Sequence, residues 1–399
     1  MNFLFISPMF PKNYWNFCDR MKNHGVNVLA IGDTPEEYIS YELKNAVTEY
    51  CYVNDMENYD HVYRTVAYLA SKYGKIDWVE SNNEYWLELD SKLRTDFNIN
   101  TGMKEDVTKI FKKKSGMKAY YEKAGVKTAR YHLVDTLENG KKFVEEVGYP
   151  VIVKPDNGVG AAATYKINNL QELEDFYQID HITQYIMEEF VNGLIISYDG
   201  LANRDHEVLF ETSHVFPNSI MDVVNNNTGM YYYSLREIPE QLKKLGRSVV
   251  KEFPLNARFF HCEFFQLLED RPGLGNKGDF VGLEVNMRPP GGYTPDMFNW
   301  ANDIDVYNIY ADMVVYNHSD YYTNRPYHCV YCGRRDGHEY YYNNDALVAM
   351  YGSHILMNER MPDILSGAMG NYTYTARFET LDEVFDFVDK VLKEVNNES

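Results

Sequence analysis

Hydrophobic residues along this chain recur first in short unbroken runs and then at helical spacing, which predicts strands alternating with helices. "NFLFIS" (2–7) and "VNVLAIGD" (26–33) read as strands, with a helix between them that ends near "HGVN", where Gly25 suits the position just past a helix. "TPEE" (34–37) has the form of a capping box with proline at the first helical position, so a helix is expected to start there. "YDHVYRTVAYLASKYG" closes a further helix at Gly74, and "IDWVES" follows as another strand. Strand, helix and strand in succession imply a parallel, doubly wound sheet. No G-x-G-x-x-G follows the first strand, where "SPMFPKNYW" stands instead, so no dinucleotide site is expected there.

From 104 to 125 the chain turns basic and helical, "KEDVTKIFKKKSGMKAYYEKAG", with Gly125 as a stop. After "VKTARYHLV" and a helix opened by "TLEN" and closed at Gly148 comes "YPVIVKPDNGVGAAATYKI" (149–167). This is a hydrophobic strand carrying one lysine, Lys154, then a turn with Gly158 and Gly160 followed by three alanines. Small residues let backbone N–H groups approach an anion, and the lysine supplies the counter-charge; a plain hairpin with a surface lysine would have the same appearance. "QYIMEEFVNG" (184–193) is a strand-like run, "LIISYDGLA" resumes the sheet, and "NRDHEVLFETSHVF" (203–216) alternates as an antiparallel strand pair should. Residues 217–234, rich in Asn and Tyr, suit a loop over a site or a decorated surface loop. "TLDEVFDFVDKVLKEV" (380–395) is a capped amphipathic helix with Leu381, Val384, Phe385, Val388, Val391, Leu392 and Val395 at packing positions.

Two strands break the pattern. "FVGLEVNMRPPGG" (280–292) sets Glu284, Asn286 and Arg288 on alternate positions with Leu283, Val285 and Met287 between them. Side chains alternate across a strand, so the three polar groups share a face while the aliphatic ones pack inward. An apolar core does not accept that row. A divalent cation and its phosphate do, because hard Mg²⁺ takes oxygen ligands and Arg complements an oxyanion. "FFHCEFFQLLED" (259–270) repeats the puzzle with Glu263 in an aromatic strand. Burying two unpaired carboxylates is costly, so a cation is their natural partner.

Composition narrows the classes. The 399 residues suggest two or three domains, and 45% hydrophobic with 25% charged residues is ordinary for a soluble protein. A net charge of −20 argues against a nucleic-acid backbone or an anionic membrane as partner. The N-terminal apolar run is too short for a secretion signal and no stretch approaches a membrane span, so a cytoplasmic protein is expected. The 5 cysteines, Cys18, Cys51, Cys262, Cys329 and Cys332, suit a reducing compartment. "CVYC" (329–332) has zinc or redox spacing, but only His328 and His338 accompany it, so reduced thiols near a strand are expected.

The lysine strand, glycine loop and two acidic strands, in that order, resemble the ATP-grasp superfamily, in particular its carboxylate–amine ligase branch, the group of carbamoyl-phosphate synthase and biotin carboxylase. The resemblance covers nearly the whole chain. It implies an α/β (α+β) architecture: a Rossmann-like pre-ATP-grasp domain over 1–103 and an ATP-grasp domain over 104–399, with a small lid subdomain at about 120–192 and a larger antiparallel-sheet subdomain at about 193–399.

Carried over by position, the resemblance implies that Lys114, with Lys113 as near alternative, and Lys154 contact nucleotide phosphate, and that the stretch from Asn157 through Gly158, Gly160, Ala161 and Ala162 to Thr164 is a flexible lid. The main chain at Glu189 and Val191 in "EEFV", with Glu188 and Phe190 beside it, would bind adenine. Glu263, Glu284 and Asn286 fit as Mg²⁺ (or Mn²⁺) ligands, Arg288 as the group steadying an acyl phosphate, and Gly291 and Gly292 as part of the acceptor pocket. Ile195 departs from the pattern, standing where many members have a ribose-binding glutamate. The implied activity is ATP-dependent joining of a small carboxylic acid, such as an amino acid, to an amine, with release of ADP and phosphate. Alternatives are a non-catalytic nucleotide sensor and a bicarbonate-phosphorylating carboxylase or carbamoyl-phosphate-type enzyme. Expected partners are small molecules, with no nucleic acid and no membrane, and the pairing habits of such ligases allow a homodimer.

Overall fold

The apolar runs near the N-terminus become β1 (Asn2–Ile6), β2 (Asn27–Gly32), β3 (Glu49–Tyr52) and β4 (Trp78–Glu80), all parallel, in the order β3-β2-β1-β4. In this computed structural model the described residues are 1–157, 163–217, 227–322 and 324–395. Gly158, Gly160, Ala161 and Ala162 therefore lie outside the described residues, as do 218–226 of the expected loop. Phe3, Leu4, Phe5 and Ile6 are fully buried, because helices cover both faces of a parallel sheet. Strand order reverses between β1 and β4, and the loops leaving the carboxyl ends of those two strands are where such sheets meet ligands.

A second, antiparallel sheet holds β5 (Tyr131–Leu133), β6 (Val151–Pro155), β7 (Tyr165–Ile167) and β8 (Tyr185–Glu189) in the order β5-β8-β6-β7. Helices Leu137–Val147 and Leu170–Tyr177 bury Phe143, Val144, Leu173 and Phe176 against it.

The third sheet has nine strands: β9 (Gly193–Ala202), β10 (Val208–Thr212), β11 (His214–Phe216), β12 (Met230–Ser234), β13 (Arg258–Leu267), β14 (Phe280–Asn286), β15 (His328–Arg334), β16 (Ile355–Arg360) and β17 (Tyr372–Phe378). They run β14-β13-β9-β11-β12-β15-β17-β16, with β10 also beside β9. Helix Glu240–Glu252 packs on this sheet so closely that a Cβ at Gly246 would stand 2.2 Å from the Tyr198 ring, which only glycine permits. The first and third sheets are tied by a buried ion cluster. Glu80, at the end of β4, accepts from Arg94 at 3.0 Å and from Arg258, at the start of β13, at 2.8 Å.

Several local expectations yield to tertiary context. "TPEE" forms only a single 3₁₀ turn, Glu36–Tyr38, flanked by extended Pro35 and Ile39; the α-helix begins at Tyr41, where the Ser40 side chain accepts from the Leu43 N–H. The basic segment is two helices, Glu105–Phe111 and Lys114–Lys123. Their break has a cause in β6: Asp156 accepts the Lys114 N–H on its carbonyl (2.8 Å), and the Ser115 N–H (2.8 Å) and hydroxyl (2.7 Å) on its carboxylate, capping the second helix from outside. β10 and β11 do not pair with each other; both lie along β9, with Ser213 between them. The C-terminal helix, Leu381–Leu392, has its capping box of Thr380 and Glu383, but Phe385 is exposed and Phe387 is the buried ring. Cys329 and Cys332, three apart on β15, point into different clusters on opposite faces, so they meet neither one ion nor each other.

Candidate active site

Antiparallel pairing of β13 with β14 places Glu263 directly opposite Glu284 and His261 opposite Asn286, with a bulge between Glu263 and Phe264. Cys262 and Phe264 fill the core on the other face, which leaves the two acids side by side, their side chains 23% and 24% exposed. Burial pushes the Glu284 carboxyl up, and the charge of Glu263 adds to that against the pull of Lys114. Burial acts on Glu263 too, but the hydrogen bond and charge of His261 outweigh it and hold that carboxyl down. Two like charges in one site push their proton affinities apart in this way.

The Asp156 cap also positions the cations, since it fastens the N-terminus of the helix bearing Lys114 to the end of the strand bearing Lys154. Lys114 Nζ stands 3.7 Å from Glu284. Lys154 lies 2.6 Å from Glu188, and Lys118, one turn beyond Lys114, lies 2.5 Å from the same carboxylate. Burial pushes Glu188 up, yet the two ammonium groups overcome it and hold the carboxyl at about 2. Burial opposes the charge on Lys154, and Glu188, Glu284 and Glu263 together restore and raise it. Lys114, Lys154, Glu263 and Glu284 thus share one electrostatic neighbourhood.

Other expected residues fall less simply. The Glu188 carboxylate is engaged as counter-ion to two lysines and is not free beside a base. Glu189 spends its carboxylate on Arg130 (2.8 Å) and Arg271 (3.3 Å), and its N–H on the Arg130 carbonyl (3.0 Å), so neither group is left to meet a ligand. Phe190 lies under the Lys166 ammonium, 4.4 Å from its ring centre, and Val191 is buried. Asn157 bridges to Lys113 beside the helix break. Arg288 donates to Glu84 (3.2 Å) and to the Pro289 carbonyl (2.9 Å). A Cβ on Gly291 would meet nothing within 4 Å, and Gly292 has φ of +65°, a left-handed turn that glycine favours. Ile195 pairs with Phe265 and Phe216 inside the sheet.

Four contributors escaped the sequence reading. Lys118 was legible as the i+4 neighbour of Lys114 on one helix face, and His261 as the i−2 neighbour of Glu263 on one strand face. Asp199 and Glu84 had no local signal, since only packing brings them to the site.

The donor set fits a divalent cation in company with phosphate. Among the described residues no group of three or more His, Cys, Asp or Glu is arranged to hold a metal ion. Two carboxylates and an amide match instead the habit of Mg²⁺, which uses one or two protein acids and completes its shell with phosphate oxygens and water.

Comparison with known proteins bears on the fold and on one segment of the chain. Residues 113–190 match the family described as carbamoyl-phosphate synthase L chain, ATP binding domain. The L-arginine-specific L-amino acid ligase of Bacillus subtilis is 22% identical over 293 residues, covering 68% of each chain. Among solved structures, an L-amino acid ligase from Bacillus licheniformis superposes with a TM-score of 0.72 at 15% identity over 100% of this chain and 99% of that one. The biotin carboxylase domain of Hydrogenobacter thermophilus 2-oxoglutarate carboxylase, solved with MgADP and bicarbonate, gives a TM-score of 0.69 at 15% identity, covering 99% and 90%. No helix among the described residues is long and apolar enough to cross a membrane. The matched segment carries Lys114, Lys154 and Glu188, and the three-sheet fold is that of the L-amino acid ligase and biotin carboxylase structures.

Proposed function

We propose that this chain is an ATP-dependent ligase that activates a small carboxylic acid, such as an amino acid, as an acyl phosphate and joins it to an amine. The observation that carries the reading is the register pairing of Glu263 with Glu284 beneath Lys114 and Lys154. A carboxylate attacks a triphosphate only if their mutual repulsion is offset. Lys114 and Lys154 would hold phosphate oxygens, with Glu188, itself anchored by Lys118, keeping Lys154 charged and in place. Glu263, Glu284 and Asn286 would hold the divalent cation, which when bound offsets charge on the phosphate oxygens. Arg288, steadied by Glu84, would complement the oxyanion that develops as the amine attacks. The same reading divides the chain into a domain over 1–103 and a nucleotide-binding domain over 104–399.

The test is a phosphate-release screen of amino acids and small acids, singly and in pairs, with ATP and Mg²⁺, and with bicarbonate as a separate arm. Release that needs an acid together with an amine is the expected result. Release with bicarbonate alone would move the chain to carboxylation chemistry, and no release with any pair would leave a nucleotide sensor.

Lys154→Met should raise the KM for ATP by on the order of tenfold or more, because it removes a charge-assisted contact worth roughly 1.5–3 kcal/mol. Steady-state kinetics across ATP concentration would check it; an unchanged KM would remove Lys154 from the phosphate site.

A further inference from the structure

Behind the acid pair lies a chain of hydrogen bonds that the ligase chemistry does not require. Asp199, on β9 opposite His261 of β13, is fully buried and accepts three bonds. Its Oδ1 takes the His261 Nδ1–H at 2.5 Å, and its Oδ2 takes the His214 Nδ1–H at 2.7 Å and the Ser197 hydroxyl at 2.5 Å. Ser197 in turn accepts the His214 backbone N–H at 3.2 Å. On its other edge His261 donates Nε2–H to Glu263 Oε1 at 2.9 Å. His261 therefore donates from both nitrogens, each to a carboxylate, and one oxygen of Glu263 is held while the second is left for another partner.

The far end of the chain decides what it does. His214 is fully buried, its Nε2 has no hydrogen-bond partner among the described residues, and its ring stands 5.5 Å from that of Phe298 and 6.1 Å from that of Tyr232. Among the described residues a proton moved along this chain would have no exit, so it serves as a fixed brace and not as a shuttle.

We propose that Asp199 is a positioning residue: braced by Ser197 and His214, it fixes the ring of His261, which pins Glu263 beside Glu284 in the attitude that receives a divalent cation. This rests on the reading of Glu263 and Glu284 as the cation site. Left unpinned, Glu263 would turn away from the like charge across the strand, and the site would have to be reassembled each time a cation entered. Partners that orient a metal-binding group in this indirect way typically contribute about 10–100-fold to metal affinity.

The experiment is calorimetric titration of the full chain with Mn²⁺ in the presence of ADP, beside titration with ADP in the absence of metal. Asp199→Asn should weaken Mn²⁺ binding by about tenfold and leave metal-free ADP binding unchanged. Adding His261→Gln to it should cost nothing further, as expected for residues acting through one another. Mn²⁺ affinity equal to that of the unchanged protein, or a matching loss of metal-free ADP binding, would overturn the assignment. Should Asp199→Asn fail to fold, His261→Gln alone carries the same two expectations and the same refutations. If the unchanged protein takes up no Mn²⁺ with ADP, the cation reading of Glu263 and Glu284 falls, and this role with it; if it does and the variants match it, only the brace falls.

Discussion

Glu284→Gln is expected to lower Mg²⁺-dependent ADP release by on the order of a thousandfold, since losing one electrostatic partner of a charged transition state costs about 10²–10³ in rate. The fold should survive. Glu284 is a quarter exposed, stands opposite a like charge, and has as its nearest cation Lys114 at 3.7 Å, beyond hydrogen-bonding range. Removing its charge relieves repulsion with Glu263, so the melting temperature should hold or rise while turnover collapses. Lys114 and Lys154 both lose an attractive neighbour, so nucleotide affinity in the absence of metal would change less than affinity in its presence. ADP release measured against Mg²⁺ concentration, with a thermal melt as control, checks this. Undiminished turnover would remove Glu284 from the cation site and leave the pairing with Glu263 as an unexplained strain.

Glu80→Gln should have the largest effect on stability. Glu80 is 2% exposed and stands between two guanidinium groups, those of Arg94 (0%) and Arg258 (2%). Burial pushes its carboxyl up, but Arg258 and Arg94 prevail and keep it charged. Arg94 has further partners in the carbonyls of Met103 and Val79, whereas Nε and Nη1 of Arg258 have none among the described residues. An amide of equal size preserves the packing and removes the carboxylate that joins the pair. Breaking a buried ion pair from one side strands the remaining charge, at about 3–5 kcal/mol. Urea unfolding followed by circular dichroism would measure it, and a loss under about 1 kcal/mol would show that the arginines find other compensation. Since this cluster links β4 to the start of β13, it also sets where the strand of Glu263 begins.

Much of the site was legible in short stretches. The alternation of Glu284, Asn286 and Arg288 with apolar residues, and of Glu263 within its aromatic strand, follows from the two-residue repeat of any strand. It holds whatever that strand packs against. Lys154 was visible for the same reason, as the one charge in a hydrophobic run. Helix ends at Gly25 and Gly74 were legible because a left-handed backbone, with φ of +74° and +90°, is a local requirement.

Where the local signals misled, a distant residue had a stronger claim on the same backbone. The lysine-rich segment has the pattern of one helix, and Asp156 divides it by capping at Ser115, forty-one positions away. "TPEE" offered a cap, and Ser40 supplied a better one. The sequence by itself determined which face of each strand carries the acids and which residues bear charge in apolar surroundings, because those follow from bond geometry and solvation within a few residues. Only the tertiary structure decided that Glu263 meets Glu284, that Lys118 joins Lys154 on Glu188, and that Asp199 stands behind His261. Each of those meetings depends on strand register and sheet order, which are set by burial summed over the whole molecule.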